Sequence, residues 1–179
     1  MAADVDTVVI GGGVVGLACA FELAQAGSVL LLERGPRLGE GASTRNSGVI
    51  HSGIYYPADT LKARLCVEGA ERLYAWCAGR GVPHARCGKL VVASTSEDLN
   101  GLETLRTQGE ANGVKGLRLL DRAAFRKIEP EVEGIQALQV PSTGILDPAE
   151  LVASLAAAAR ERGAEILLNA EVRRIEGNA

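Results

Sequence analysis

Aromatic residues are scarce: Phe, Trp and Tyr together make up 3% of the 179 residues. That argues against stacking platforms for single-stranded nucleic acid. Histidine occurs only twice, and the four cysteines, at 19, 66, 77 and 87, form no C-x-x-C pair. A zinc site or a disulfide framework is therefore not expected. No basic run is present and the net charge is −3, which argues against a nucleic-acid partner or an anionic membrane surface. Repeats and low-complexity tracts are absent too. The stretch from Val5 to Leu32 is apolar, but no basic segment precedes it, and glycines, Glu22 and Gln25 interrupt it. It therefore reads as neither signal peptide nor membrane span. With no targeting segment read, the expected compartment is the cytoplasm. Cys19, Cys66 and Cys77 fall in helical stretches and read as buried free thiols, which suits a reducing compartment.

What the chain does have is apolar bulk, 47% of its residues, enough for a substantial core. Its opening is the most informative part. Val5-Asp-Thr-Val-Val-Ile10 runs as an apolar strand into Gly11-Gly-Gly13-Val-Val-Gly16. A helical stretch, 14–26, follows. Val29-Leu-Leu-Leu32 is a second strand, ending in Glu33, 22 positions after Gly11. In that context G-x-G-x-x-G has a physical meaning. The first glycine makes the tight turn, the second admits a pyrophosphate, and the third lets helix and strand pack closely. Phosphates meet the helix N-terminus, where unpaired N–H groups and the dipole favour negative charge. Glu33 is placed to accept from a ribose hydroxyl, and an acid there disfavours a 2′-phosphate. These features predict a dinucleotide site and do not separate NAD from FAD.

After Glu33, residues 34–48 read as a loop rich in glycine and small polar side chains. A short extended piece, 49–56, closes at Pro57. Asp59 or Thr60 can cap a long helix over 60–79. The remaining pattern predicts strands at 88–93, 135–140, 166–168 and 172–175, with a short apolar piece at 117–120. It also predicts helices from Ser96 to about Asn112, over 121–128, and from Pro148 to Arg162. Helices and strands alternate, so the fold class is α/β. Glu176-Gly177-Asn178 reads as the opening of a hairpin turn. A parallel sheet begun this way needs more strands than the sequence supplies, so a truncated chain is expected.

Taken together, Gly11, Gly13, Gly16, Glu33 and the run Ser43-Thr-Arg-Asn-Ser-Gly48-Val-Ile-His51-Ser-Gly53-Ile-Tyr-Tyr56 resemble the FAD-dependent oxidoreductases of the D-amino-acid oxidase superfamily. Leu61-Lys62, Leu65-Cys66, Gly88-Lys-Leu and Thr143-Gly-Ile-Leu-Asp147 narrow the resemblance to the branch acting on L-2-hydroxyglutarate. It covers essentially the whole chain, as the N-terminal part of a longer enzyme.

The resemblance implies a Rossmann-like FAD-binding domain over 1–80 and 148–179. Part of an α+β substrate domain, 81–147, is inserted between them. Gly11, Gly13, Val15, Gly16, Glu33 and Arg34 would hold the ADP half of FAD. Ser43, Thr44, Asn46, Ser47 and Gly48 would run past the pyrophosphate toward the flavin, and Val172 would meet the adenine side through its backbone.

Flavin oxidation of a hydroxy acid needs a base for the hydroxyl proton and cations for the carboxylates. His51 is the candidate base, since histidine is the residue type that titrates near neutral pH. The alternatives are a backbone-bonded histidine or a covalent flavin link. Arg45, with its planar fork, could bind a carboxylate or the pyrophosphate, or be a solvated loop arginine. Tyr55 and Tyr56 could line the pocket or simply pack. Lys62 and Lys89 read as surface or phosphate-proximal, and His84 as structural. The expected reaction is hydride transfer from a 2-hydroxy acid, L-2-hydroxyglutarate foremost, to FAD. A flavin enzyme acting on amines or amino acids, and a non-catalytic nucleotide-binding fragment, are the alternatives. The partner is a small molecule, with the electron acceptor left open and homo-oligomers possible through an exposed sheet edge.

Overall fold

The computed structural model describes residues 4–177. Asn178 of the expected hairpin turn lies outside them. In chain order the elements are β1 (Thr7–Ile10), α1 (Val14–Leu23), β2 (Val29–Leu32), β3 (Val49–Ile50) and α2 (Leu61–Arg80). Next come β4 (His84–Ala85), β5 (Lys89–Ala93), α3 (Leu99–Ala111), β6 (Arg118–Asp121) and α4 (Arg122–Arg126). The series closes with β7 (Gln136–Val140), β8 (Gly144–Leu146), α5 (Pro148–Glu161) and β9 (Glu165–Leu167). The α/β class is what the chain forms.

Two compact units result. One holds the described residues up to Ser47 and from Asp147 on; the other is Gly48–Leu146. In the first, β1, β2 and β9 make a parallel sheet in the order β1-β2-β9. Parallel neighbours need a crossover, and α1 and α5 supply it. The two helices pack on each other, with Leu17 and Ala20 of α1 and Val152, Leu155 and Ala156 of α5 buried. Asp147 starts α5, its Oδ1 accepting from Ala149 N at 2.8 Å and Glu150 N at 3.1 Å, with Pro148 in the first turn.

The second unit carries two antiparallel sheets, β3-β8-β4 and β5-β7-β6. Ile54, Leu102, Val114, Leu138 and Val140 form a buried cluster there. Residues 48–80 were expected with the nucleotide domain but cluster in this unit instead. The reason is pairing and burial: β3 hydrogen-bonds to β8, and Ile50 packs with Ala70 and Tyr74 of α2. Thr60 caps α2, its Oγ1 accepting from Ala63 N at 3.2 Å, and left-handed Gly81 ends the helix.

Several local expectations change. The first helix stops at Leu23 rather than Ala26, and the extended piece after Val49 lasts only to Ile50. Residues 172–175 are irregular: no described strand pairs with them, and Ile175 is 78% exposed. Apolar alternation makes a strand only where a partner takes its backbone groups. Of the cysteines read as buried thiols, only Cys77 is buried; Cys66 is intermediate and Cys19 exposed, and all four are free.

β1 pairs with β2 on one side and with no described strand on the other. It also exposes Val8 (49%) and Ile10 (55%). An open apolar edge of this kind invites pairing with another chain. The isolated 179-residue chain is therefore expected to self-associate in sedimentation velocity, and Val8→Lys to shift it toward monomer. A chain that sediments as a monomer at every concentration removes this expectation.

Candidate nucleotide site and the polar end of the insert

The glycine turn is built by contact. Gly11 has φ +104° and its N–H donates to Leu32 O at 2.8 Å, tying β1 to the end of β2. A Cβ on Gly16 would stand 2.0 Å from Gly11 O. Only a glycine lets α1 come this close to the turn. Gly13 is the N-cap of α1, extended and without a side-chain cap on its own part. Ser43 Oγ instead accepts from Val14 N at 3.0 Å. Ser43 thus caps the first turn of α1 from the neighbouring loop. Val15, in the first turn, is largely exposed.

Two glycines that the fingerprint does not require take part. A Cβ on Gly12 would meet Leu38 Cδ2 at 2.4 Å, and Gly39 N donates to Gly12 O at 2.9 Å. Thr44 Oγ1 donates to Gly39 O at 2.7 Å. Loop 34–47 is thereby folded over the glycine turn. Sequence reasoning missed Gly12 and Gly39 because their partners lie in a different segment. Asn46 Nδ2 donates to Ala42 O and Ser43 O, each at 3.0 Å, holding this loop in shape. Arg34, Arg45 and Ser47 are exposed.

Glu33 sits at the end of β2. Its Oε2 accepts from Gly12 N at 2.6 Å and its Oε1 from Gly35 N at 2.7 Å. A carboxylate has about four acceptor sites, so a ribose hydroxyl can still be accommodated. The Gly35 N–H, then the Gly12 N–H, hold its pKa below the ordinary glutamate value. A group whose folded pKa is lowered stabilises the fold fully above its unfolded value. It loses that contribution as pH falls through the folded one. Glu33→Gln is expected to cost about 1–2 kcal/mol in urea unfolding at neutral pH. The gap to wild type should close in strongly acid buffer; a gap independent of pH would remove the charge from the explanation. Past β9, Asn169 N donates to Gly35 O at 3.0 Å and Ala170 N to Glu33 O at 2.9 Å. Half-buried Val172 follows two residues on, so its segment is tethered beside Glu33.

Gly48 and His51 belong to the other unit. Gly48, with φ +66°, accepts at its carbonyl from Leu146 N at 2.9 Å. His51 is exposed and its carbonyl accepts from Cys66 Sγ at 3.4 Å. Burial is the main force on Cys66, raising its pKa, and Lys62 and Lys89 act against it. Lys62 Nζ lies 4.4 Å from the centre of the Tyr56 ring, and Lys89 Nζ lies 4.2 Å from that of Tyr55. His84 is structural: its Nδ1 lies 2.8 Å from Val82 O.

A turn that only glycine fits, at the start of a helix, suits the pyrophosphate of a dinucleotide, and Glu33 suits its ribose. The sequence matches the FAD dependent oxidoreductase family over residues 6–179. It is 44% identical over 174 residues to the mitochondrial L-2-hydroxyglutarate dehydrogenase of Bos taurus, covering 96% of this chain and 38% of that protein. The Arabidopsis thaliana protein of that name is 46% identical over 152 residues, 84% of this chain and 32% of its own length. The chain thus spans well under half of these relatives. Among solved structures, the FAD-bound L-alpha-glycerophosphate oxidase of Mycoplasma pneumoniae superposes with a TM-score of 0.86 at 31% identity. That match covers 92% of this chain and 44% of the oxidase. No described helix is long and apolar enough to cross a membrane. The chain belongs to the D-amino-acid oxidase family of FAD-dependent oxidoreductases, and FAD is its cofactor.

Proposed function

We propose that this chain is the N-terminal part of an enzyme that oxidises L-2-hydroxyglutarate to 2-oxoglutarate. The carrying observation is that the 44% identity runs over 96% of the chain, through the inserted unit as well as the nucleotide turn. In this reading Gly11, Gly13, Val15, Gly16, Glu33 and Arg34 hold the ADP half of FAD. Ser43, Thr44, Asn46, Ser47 and Gly48 follow the pyrophosphate, and Val172 meets the adenine. FAD supplies the hydride acceptor. His51 takes the hydroxyl proton as the substrate carbon gives up its hydride, leaving a 2-oxo acid. Arg45 holds the carboxylate next to the reacting carbon through its planar fork. The compartment we propose is the cytoplasm; the four free cysteines suit a reducing one.

The test is anaerobic mixing of the full-length, flavin-loaded enzyme with candidate donors while the visible flavin band is followed. L-2-hydroxyglutarate is expected to bleach it. Bleaching by sarcosine or proline and by no 2-hydroxy acid would replace this reading with an amine or amino-acid oxidase.

A further inference from the structure

We propose that Lys62 and Lys89 form a grip for a second anionic group at the far end of the substrate, so that the site selects a dicarboxylate over a monocarboxylate 2-hydroxy acid. The inference rests on the hydroxy-acid reading and adds to it the residues that set substrate class.

Three elements bring the grip together. Lys62 lies in the first turn of α2, Lys89 opens β5, and Tyr55 and Tyr56 are consecutive residues of the loop that also carries His51. Each ammonium rests on one of these rings, at 4.2 Å for Lys89 and 4.4 Å for Lys62. Cys66 is their common neighbour: both lysines act on its thiol, and that thiol donates to His51 O. The lysines, each on its tyrosine ring, thus lie about Cys66, whose thiol is bonded to the backbone of the loop that carries His51.

The charges there are unbalanced. Most arginines of this unit that lie near an acid are paired with it: Arg72 with Glu68, Arg86 with Glu71, Arg106 with Glu103 and Glu110, Arg122 with Glu133. Neither Lys62 nor Lys89 has an acid partner among the described residues. Each tyrosine face holds an ammonium that has no acid beside it, an arrangement that an arriving anion stabilises.

Orphaned hydroxyls occur in the same unit. Ser52 is 3% exposed and Thr143 4% exposed, and their hydroxyls, with that of Ser142, are buried without a hydrogen-bond partner. β3 pairs with β8 through Val49–Ile145 and Ile50–Gly144, and Ser142 and Thr143 stand just before β8 in the chain. Gly88 N donates to Thr143 O at 2.8 Å, which fixes Lys89 beside this end of β8. Buried polar groups without partners are costly and rare in folded proteins. Of these residues, Thr143 adjoins the start of β5 that carries Lys89, as expected of a wall built around a polar ligand.

The experiment uses the full-length flavin-loaded enzyme. Lys62→Met and Lys89→Met are each expected to raise KM for L-2-hydroxyglutarate about tenfold to a hundredfold, the loss of one charge-assisted contact. The KM for L-2-hydroxypentanoate, which lacks the second carboxylate, should stay unchanged, as should kcat and flavin content. Lys→Arg at either position should restore most of the affinity. Binding of glutarate, read from the shift in the flavin spectrum without turnover, should weaken in parallel. In the wild type, added salt should weaken glutarate more steeply than butyrate. Equal losses for both acids, or no loss, would overturn the grip. Should no 2-hydroxy acid bleach the flavin, the functional reading falls, and the grip is then judged by glutarate binding alone. Glycerol 3-phosphate as the sole donor, weakened by the same variants, would mean a phosphate in place of the far carboxylate.

Discussion

His51→Asn is expected to lower anaerobic flavin reduction by L-2-hydroxyglutarate about 10²- to 10⁴-fold, the range a positioned general base contributes. Flavin content and glutarate affinity should stay at wild-type levels, because in the proposed role the side chain acts on the hydroxyl proton and not on the fold. The expectation is sharp because His51 is exposed and only its backbone carbonyl is engaged within the inserted unit. The other histidine is the internal control. His84 is tied to Val82 O and lies 6.1 Å from the Tyr74 ring, centre to centre. His84→Asn should cost some stability and leave the chemical step unchanged. Stopped-flow reduction rates of the two variants settle the assignment. A His51 variant that reduces its flavin at the wild-type rate removes the base from this residue.

Gly16→Ala is expected to act on both cofactor and fold. The added methyl would stand 2.0 Å from Gly11 O, 3.2 Å from the Gly11 carbonyl carbon and 3.5 Å from Val9 Cγ1. Backbone cannot swing aside as a flexible side chain can, so α1 must be pushed away from the turn. Overpacking typically costs about 1–3 kcal/mol, and a backbone clash belongs at the upper end. For a chain of this size that is a fall in Tm of about 6–12 °C. The same displacement moves the N–H groups of the first helical turn, and the flavin content of the purified full-length protein should fall about tenfold or more. Gly41→Ala is the matched control. A Cβ there meets nothing within 4 Å, so stability should change by less than about 0.5 kcal/mol. If Gly16→Ala is as stable and as yellow as Gly41→Ala, close approach is not what this glycine provides.

Much of the first unit was legible because its signals are local. An apolar run ending in glycines, a helical stretch and a second apolar run ending in Glu33 specify strand, turn, helix and strand within three dozen residues. β1, α1 and β2 form there, with β2 on its expected bounds. The cap of α2 was legible for the same reason: Thr60 accepts the backbone N–H of Ala63, three residues on.

Other features depend on residues far apart in the chain. Strand status at 172–175 failed because no described strand offers it a partner, whatever its own alternation. The two- and three-residue strands β4 and β8 carry no readable period, and they exist because each finds an edge to pair with. Glu33 reads from sequence as a ribose ligand, but only folding shows that its carboxylate also clamps Gly12 and Gly35. Lys62 and Lys89 read singly as surface or phosphate-proximal, and Tyr55 and Tyr56 as pocket-lining or packing residues. Their pairing comes from the meeting of a loop, a helix start and a strand start. The sequence by itself determined the glycine turn, the class of fold and the family, since those rest on backbone conformations and spacings that each segment carries alone. Tertiary structure decided where the chain divides, which thiol is buried and which cations stand without an acid. Burial and charge balance are sums over neighbours that the chain brings together only when it folds.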